Sequence, residues 1–161
     1  TLFFYFKNKD EILASLMFDS IEFWAEGLKK IEKSNASPEK KLNQIWRFQE
    51  KVNEEHPEYY LMSSYLAQPK ALDGVSSQII EKIAQLSGEN FQRLAKLLEA
   101  TTGQTGGRHM ADAIWATFLG LMVLRESRIN LGHGEVRSAK QDRATAFEWL
   151  KKGFKMGADN A

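Results

Sequence analysis

The side chains able to do chemistry are three histidines, some paired carboxylates and a run of tyrosines. His56, His109 and His133 lie far apart, and no two stand four residues apart, so a helical histidine pair for a metal ion is missing. Each reads as a surface or capping residue. The pairs Asp10-Glu11 and Glu54-Glu55 fall at expected helix ends in hydrophilic stretches, where solvated charge is a simpler role than general acid–base work. Cysteine is absent, which removes disulfides, thiolate metal sites and cysteine nucleophiles. No Walker loop, dinucleotide fingerprint or nucleophile elbow occurs, and residues 103–107 form only a flexible glycine turn. The expectation is a protein that is not an enzyme, with no catalytic residues, metal or cofactor.

The elements that would position any other site are helices. Repeated three-and-four spacing of apolar residues, with only three prolines, reads as an all-α chain needing no sheet. Asn8, three residues before Glu11, suits an N-terminal cap. It opens a long helix to residue 33 with Leu13, Leu16, Met17, Ser20, Ile21, Trp24, Leu28 and Ile31 on one face. Ser37 and Pro38 start a second helix, striped by Leu42, Ile45, Trp46, Gln49 and Val52, that ends at His56 and Pro57. A short aromatic helix over residues 58–67 carries Tyr59, Tyr60, Met62 and Tyr65. A fourth helix covers residues 74–100. A fifth, residues 110–129, is apolar on more than one side and so must be buried on more than one side. The last begins at Ser138 or Asp142, after the Gly132-His133-Gly134 loop.

At 161 residues, with 43% hydrophobic and 27% charged, the chain should fold as one compact body. The near-apolar run of residues 113–124 is short of the ~20 residues a membrane span needs. The amino-terminal segment, broken by Lys7, Lys9, Asp10 and Glu11, is no signal peptide, so a cytoplasmic location away from membranes is expected. A net charge of +1 says nothing of nucleic acid, so an argument for DNA has to be local.

That local argument lies in Thr1-Leu2-Phe3-Phe4-Tyr5-Phe6-Lys7-Asn8-Lys9-Asp10-Glu11-Ile12-Leu13. The string resembles the junction of the tetracycline-repressor (TetR) family, where a recognition helix ends in Thr-Leu-aromatic-aromatic and is followed by Phe, a turn, Lys, an acidic pair and Leu. The resemblance covers about a dozen residues, and the remaining helices agree with it in number, length and order. It implies a DNA-binding transcriptional regulator, read as a repressor, with the end of a helix-turn-helix at residues 1–8 and a ligand-binding and dimerisation domain at residues 9–161. Thr1 and Phe4 would lie near base edges or the sugar-phosphate wall, Tyr5 would reach a phosphate, and Lys9 would meet the backbone at a positive helix end. Phe3 departs from the pattern, since tyrosine is usual there. The resemblance also implies that the rest of the helix-turn-helix, on the order of forty residues, precedes Thr1. Without it the chain would not bind DNA specifically. The plainer alternative for the same string is an aromatic cluster anchoring a helix hairpin.

In that family the following helices, about six of them, hold a small-molecule effector and pair about a two-fold axis. The candidates for a ligand lining are Trp46, Gln49, Tyr59, Met62, Tyr65, Phe91, Phe118 and Met122, aromatics and methionines that suit a mostly apolar site. Such stripes also make plain core, and both readings stand. Gln49, Asn90 and Arg125 interrupt apolar stripes and need partners wherever they are buried. Ala113, Ala116 and Gly120 would let a second helix approach closely, and Phe147, Trp149, Leu150 and Phe154 spread around too much of the last helix for one core. The resemblance implies a homodimer whose two carboxy-terminal helices form a four-helix bundle with their copies; burial within one chain is the other reading. The partners expected are a second copy, operator DNA and the effector. A stand-alone helical interaction or small-molecule-binding module without DNA is the alternative function.

Overall fold

The computed structural model describes residues 9–132 and 139–156. Among them lie six helices and no strand: α1 Lys9–Lys33, α2 Pro38–Glu55, α3 Pro57–Leu66, α4 Ser77–Thr102, α5 Gly107–Asn130 and α6 Ala139–Met156. Thr1, Phe3, Phe4, Tyr5, the Asn8 cap, His133 and Ser138 lie outside the described residues.

Helix ends follow local chemistry. Asp10 and Glu11 in the first turn of α1, with Lys30 and Lys33 in its last, complement the helix dipole. The Ser34 hydroxyl donates to the Ile31 carbonyl at 2.8 Å and closes the helix. Pro57 sits at the start of α3, where a missing N–H costs nothing. Two boundaries differ from the sequence expectation. Helix α4 begins three residues later than Gly74, because Ser76 takes the first turn: its carbonyl accepts from Ile80 N at 3.0 Å and its hydroxyl from Ile79 N at 3.4 Å. Helix α5 begins three residues earlier than Met110, because the Glu99 carboxylate accepts from Gly107 N at 2.9 Å. A Cβ at Gly107 would lie 2.1 Å from the Ala95 carbonyl oxygen, so only glycine allows that approach.

The helices divide into two compact units, Thr1–Asn35 with Arg47–Arg93, and Ala36–Trp46 with Leu94–Ala161. In the first unit Ala14, Met17, Met62 and Ile83 form a buried cluster, edged by Leu13, Leu16, Leu66 and Ile79 among others. Asn90, the polar residue on the α4 stripe, donates to the Ile21 carbonyl at 2.8 Å, which satisfies it. In the second unit α5 packs with α6, and the interior holds Leu94, Leu97, Leu98, Met110, Ala111 and Ile114.

Helix α5 corrects one expectation. Its buried residues, Gly107, Met110, Ala111, Ile114 and Phe118, form one stripe confined to its first half. Val123, Leu124 and Ile129 are exposed, so its second apolar face is left uncovered by the described residues. Arg125 is likewise exposed and pairs with Glu126 at 3.3 Å, so it is not a buried intruder. No described helix is long and apolar enough to cross a membrane.

Candidate functional site

The α2 stripe behaves as its spacing dictates, with Leu42, Ile45, Trp46, Gln49 and Val52 all buried. Gln49 is therefore a fully buried primary amide, at 0% exposure. The connection to α3 is tight: His56 N donates to the Val52 carbonyl at 2.8 Å, and Tyr59 N to the His56 carbonyl at 3.0 Å. That turn brings Tyr60, itself at 0% exposure, back against α2. Its hydroxyl donates to Gln49 Oε1 and stands 3.4 Å from the Gln49 backbone oxygen. Burial pushes the Tyr60 phenol far above its ordinary value of 10.0, so it stays neutral and able to donate. The Gln49 Nε2 group has no hydrogen-bond acceptor among the described residues. Leaving such a donor unmet costs about 1–3 kcal/mol.

Beside this pair in the first unit lies an aromatic cluster. The Phe23 ring stacks on Phe48 at 5.8 Å and meets His56 edge-on at 4.8 Å. Trp24 meets Phe48 edge-on at 4.9 Å, and His56 stacks on Tyr59 at 4.7 Å. His56 Nδ1 stands 3.1 Å from Glu58 Oε1. Burial, then the charges of Asp19 and Glu58, raises the Tyr59 phenol, which therefore also stays protonated near neutral pH. The cluster joins α1, α2 and α3, and Gly27 makes it possible. A Cβ there would fall 2.0 Å from the Phe48 ring, so the ring rests directly on the α1 backbone.

The eight expected lining residues are shared between the two units. Gln49, Tyr59, Met62, Tyr65 and Phe91 belong to the first unit; Trp46, Phe118 and Met122 belong to the second. Met62 is part of the buried cluster with Met17, while Tyr65 and Phe91 are half-buried. Trp46 lies between Phe118, at 4.5 Å, and Phe147, at 4.7 Å, an aromatic stack inside the second unit. Lys151 extends over the Phe147 ring at 4.7 Å. Met122 is half-buried on α5.

The seven residues expected at a dimer interface divide as well. Phe147 and Phe154 are buried within the second unit. Trp149 is 70% exposed, Ala116 is exposed, and Ala113, Gly120 and Leu150 are half-buried. A Cβ at Gly120 would meet nothing within 4 Å. Lys9, the one DNA-contact candidate within the described residues, is exposed at the first position of α1.

Tyr60 is the buried partner of Gln49, a pairing that the sequence reading did not name. The signal was available: a glutamine on an apolar stripe needs a partner, and Tyr60 lies just past the Pro57 turn that folds the chain back. Phe23 and Phe48 were also omitted, because neither falls on the most apolar line of its helix. No group of three or more histidine or acidic side chains able to hold a metal occurs among the described residues. Comparison of the chain with protein-family models, with curated proteins and with solved structures gave no match.

Proposed function

We propose that the chain is the ligand-binding and dimerisation part of a TetR-type transcriptional regulator, a repressor whose hold on operator DNA changes when a small, mostly apolar effector binds. The observation that carries this reading is the string at residues 1–13, in which Thr-Leu, aromatics, turn, Lys9 and the acidic pair follow in the family's order. Six helices led by a 25-residue α1 support it.

The first unit supplies a route for the signal. A ligand held at Gln49 and Tyr60 touches α2 and α3, and the Phe48 ring transmits any displacement of α2 to α1 through Gly27 and Trp24. Lys9 begins α1, so a tilt of that helix moves the DNA-facing junction. Half-sites are about 34 Å apart, and a modest change in the separation of two recognition helices ends simultaneous docking. The effector has to prefer one arrangement, since equal affinity for both shifts nothing.

The exposed Val123, Leu124 and Ile129 of α5, with Trp149 of α6, support a second copy as the cover for the open face. The same exposed residues favour the second reading, a stand-alone helical module that holds another protein. DNA separates the two. In a fluorescence anisotropy titration the full-length protein should bind a duplex from its own promoter well ahead of a scrambled duplex of equal length. Equal binding to both would remove the regulator and leave the interaction module.

A further inference from the structure

Four residues of the first unit are almost wholly withdrawn from solvent: Leu28, Gln49, Val52 and Tyr60. Half of this innermost set is polar, an arrangement a plain core avoids, since each buried polar atom must be matched. The Tyr60 hydroxyl and Gln49 Oε1 match each other, and Asn90 is matched by the Ile21 carbonyl. Gln49 Nε2 is a buried amide donor of this unit for which the described residues offer no acceptor. We infer that Gln49 Nε2 anchors a neutral hydrogen-bond acceptor, such as an ester or ketone carbonyl, on the otherwise apolar effector.

The surroundings decide the class. An amide N–H donates, so the group it receives must accept, and Oε1 is already engaged by Tyr60. A carboxylate or phosphate would also accept, but a buried anion needs a counter-charge beside it. Charged pairs of this unit such as Lys51 with Glu55, Arg93 with Glu32 and His56 with Glu58 stand at exposed or half-exposed positions. Burial is what raises the Tyr60 phenol, and the same burial penalises an anion placed beside it. A ligand donor group would face Nε2 donor to donor and be refused. Val52, one turn along α2 from Gln49 and fully buried, suits an apolar body attached to the acceptor.

This inference rests on the effector-binding reading, and the experiment separates the two. Thermal unfolding of the full-length protein is followed for the wild type and for Gln49→Met, alone and with methyl decanoate or decanoate as the added compound. Methionine keeps the length but removes Oε1, the Tyr60 acceptor, along with the unmet donor, so the gain is read in the Tyr60→Phe background, where adding Gln49→Met should raise the melting temperature of the compound-free protein by about 2–4 °C. Methyl decanoate should stabilise the wild type, bind about tenfold more weakly to Gln49→Met, and bind the wild type about tenfold more tightly than decanoate does. Tyr60→Phe, which leaves both ends of the amide unmet, should lower the melting temperature. A lower melting temperature for the double variant than for Tyr60→Phe, or equal binding of ester and acid, overturns the inference. An equal response of wild type and Gln49→Met to the ester overturns the Gln49 anchor and leaves the effector-binding reading standing. No response to either compound overturns the anchor too, and counts against the effector as well.

Discussion

The two compact units are built from the same kinds of side chain and solve different problems. In the second, Trp46 lies between Phe118 and Phe147, and the residues packed within that unit include Leu94, Leu98 and Ile114, with no unmet side-chain amide among the described residues. In the first, the aromatic rings of Phe23, Phe48 and Tyr59 stand beside a buried amide and phenol, one of whose donors is left over. An aromatic and methionine-rich stripe therefore does not by itself distinguish a binding region from a core. Gln49 Nε2 adds what such a stripe lacks, an unmet amide donor whose cost must be offset by something that the apolar neighbours cannot supply.

The comparison breaks most visibly at Trp46. Trp46→Ala removes the centre of the stack in the second unit and should destabilise the protein by about 3–5 kcal/mol, read as a fall in urea midpoint. A loss under about 1 kcal/mol would mean that this interior is loosely packed and able to receive a ligand after all.

At Tyr60 the expected loss is smaller and has a pH signature. Tyr60→Phe should cost about 1–3 kcal/mol near neutral pH, since Gln49 Oε1 loses its donor. The folded state holds the phenolic proton above the pH at which the unfolded chain releases it, near the ordinary value of 10.0. Protons bound in excess by the folded state make stability fall as pH rises past that point. The wild type should therefore lose urea resistance steeply above about pH 10, and Tyr60→Phe should flatten that limb. Parallel limbs would show that Tyr60 is not buried as described.

Gly27→Ala sharpens the link between α1 and α2. The added methyl meets the Phe48 ring, and a helix gains about 1 kcal/mol of propensity from the change, so a net loss of about 1–2 kcal/mol is expected. A net gain would show that Phe48 swings away freely and cannot carry a displacement to α1. Smallest in effect on the monomer is Trp149→Gln, at 70% exposure: within about 0.5 kcal/mol in urea. The same variant should weaken self-association in sedimentation if α6 meets a second copy, and leave it unchanged if the dimer reading fails.

Much of the fold was legible from residues alone. The five residues expected on the α2 stripe are the buried ones, and Pro38, Pro57 and the glycines before Met110 mark the breaks, because period and punctuation are local properties. What the sequence withheld is tertiary. Trp149 and Phe147 are equally apolar by type, yet one is exposed and the other is stacked on Trp46, which depends on how α6 is turned about its axis. The division of the eight lining candidates between two interiors was hidden for the same reason. Gln49 stood out because a polar residue on an apolar stripe is a local anomaly; its unmet Nε2 was not visible, since that depends on what the fold places around it.

The claim that the first unit, and not the second, answers to DNA is tested most directly by hydrogen exchange of the full-length protein, free and bound to its promoter duplex. Coupling between two sites is reciprocal, so DNA should alter the protection of any region through which an effector acts. The account predicts changed protection in α1 and across residues 49–62, with α5 over residues 107–118 unchanged. A change confined to residues before Lys9, or one carried by α5 in place of α1, would contradict it.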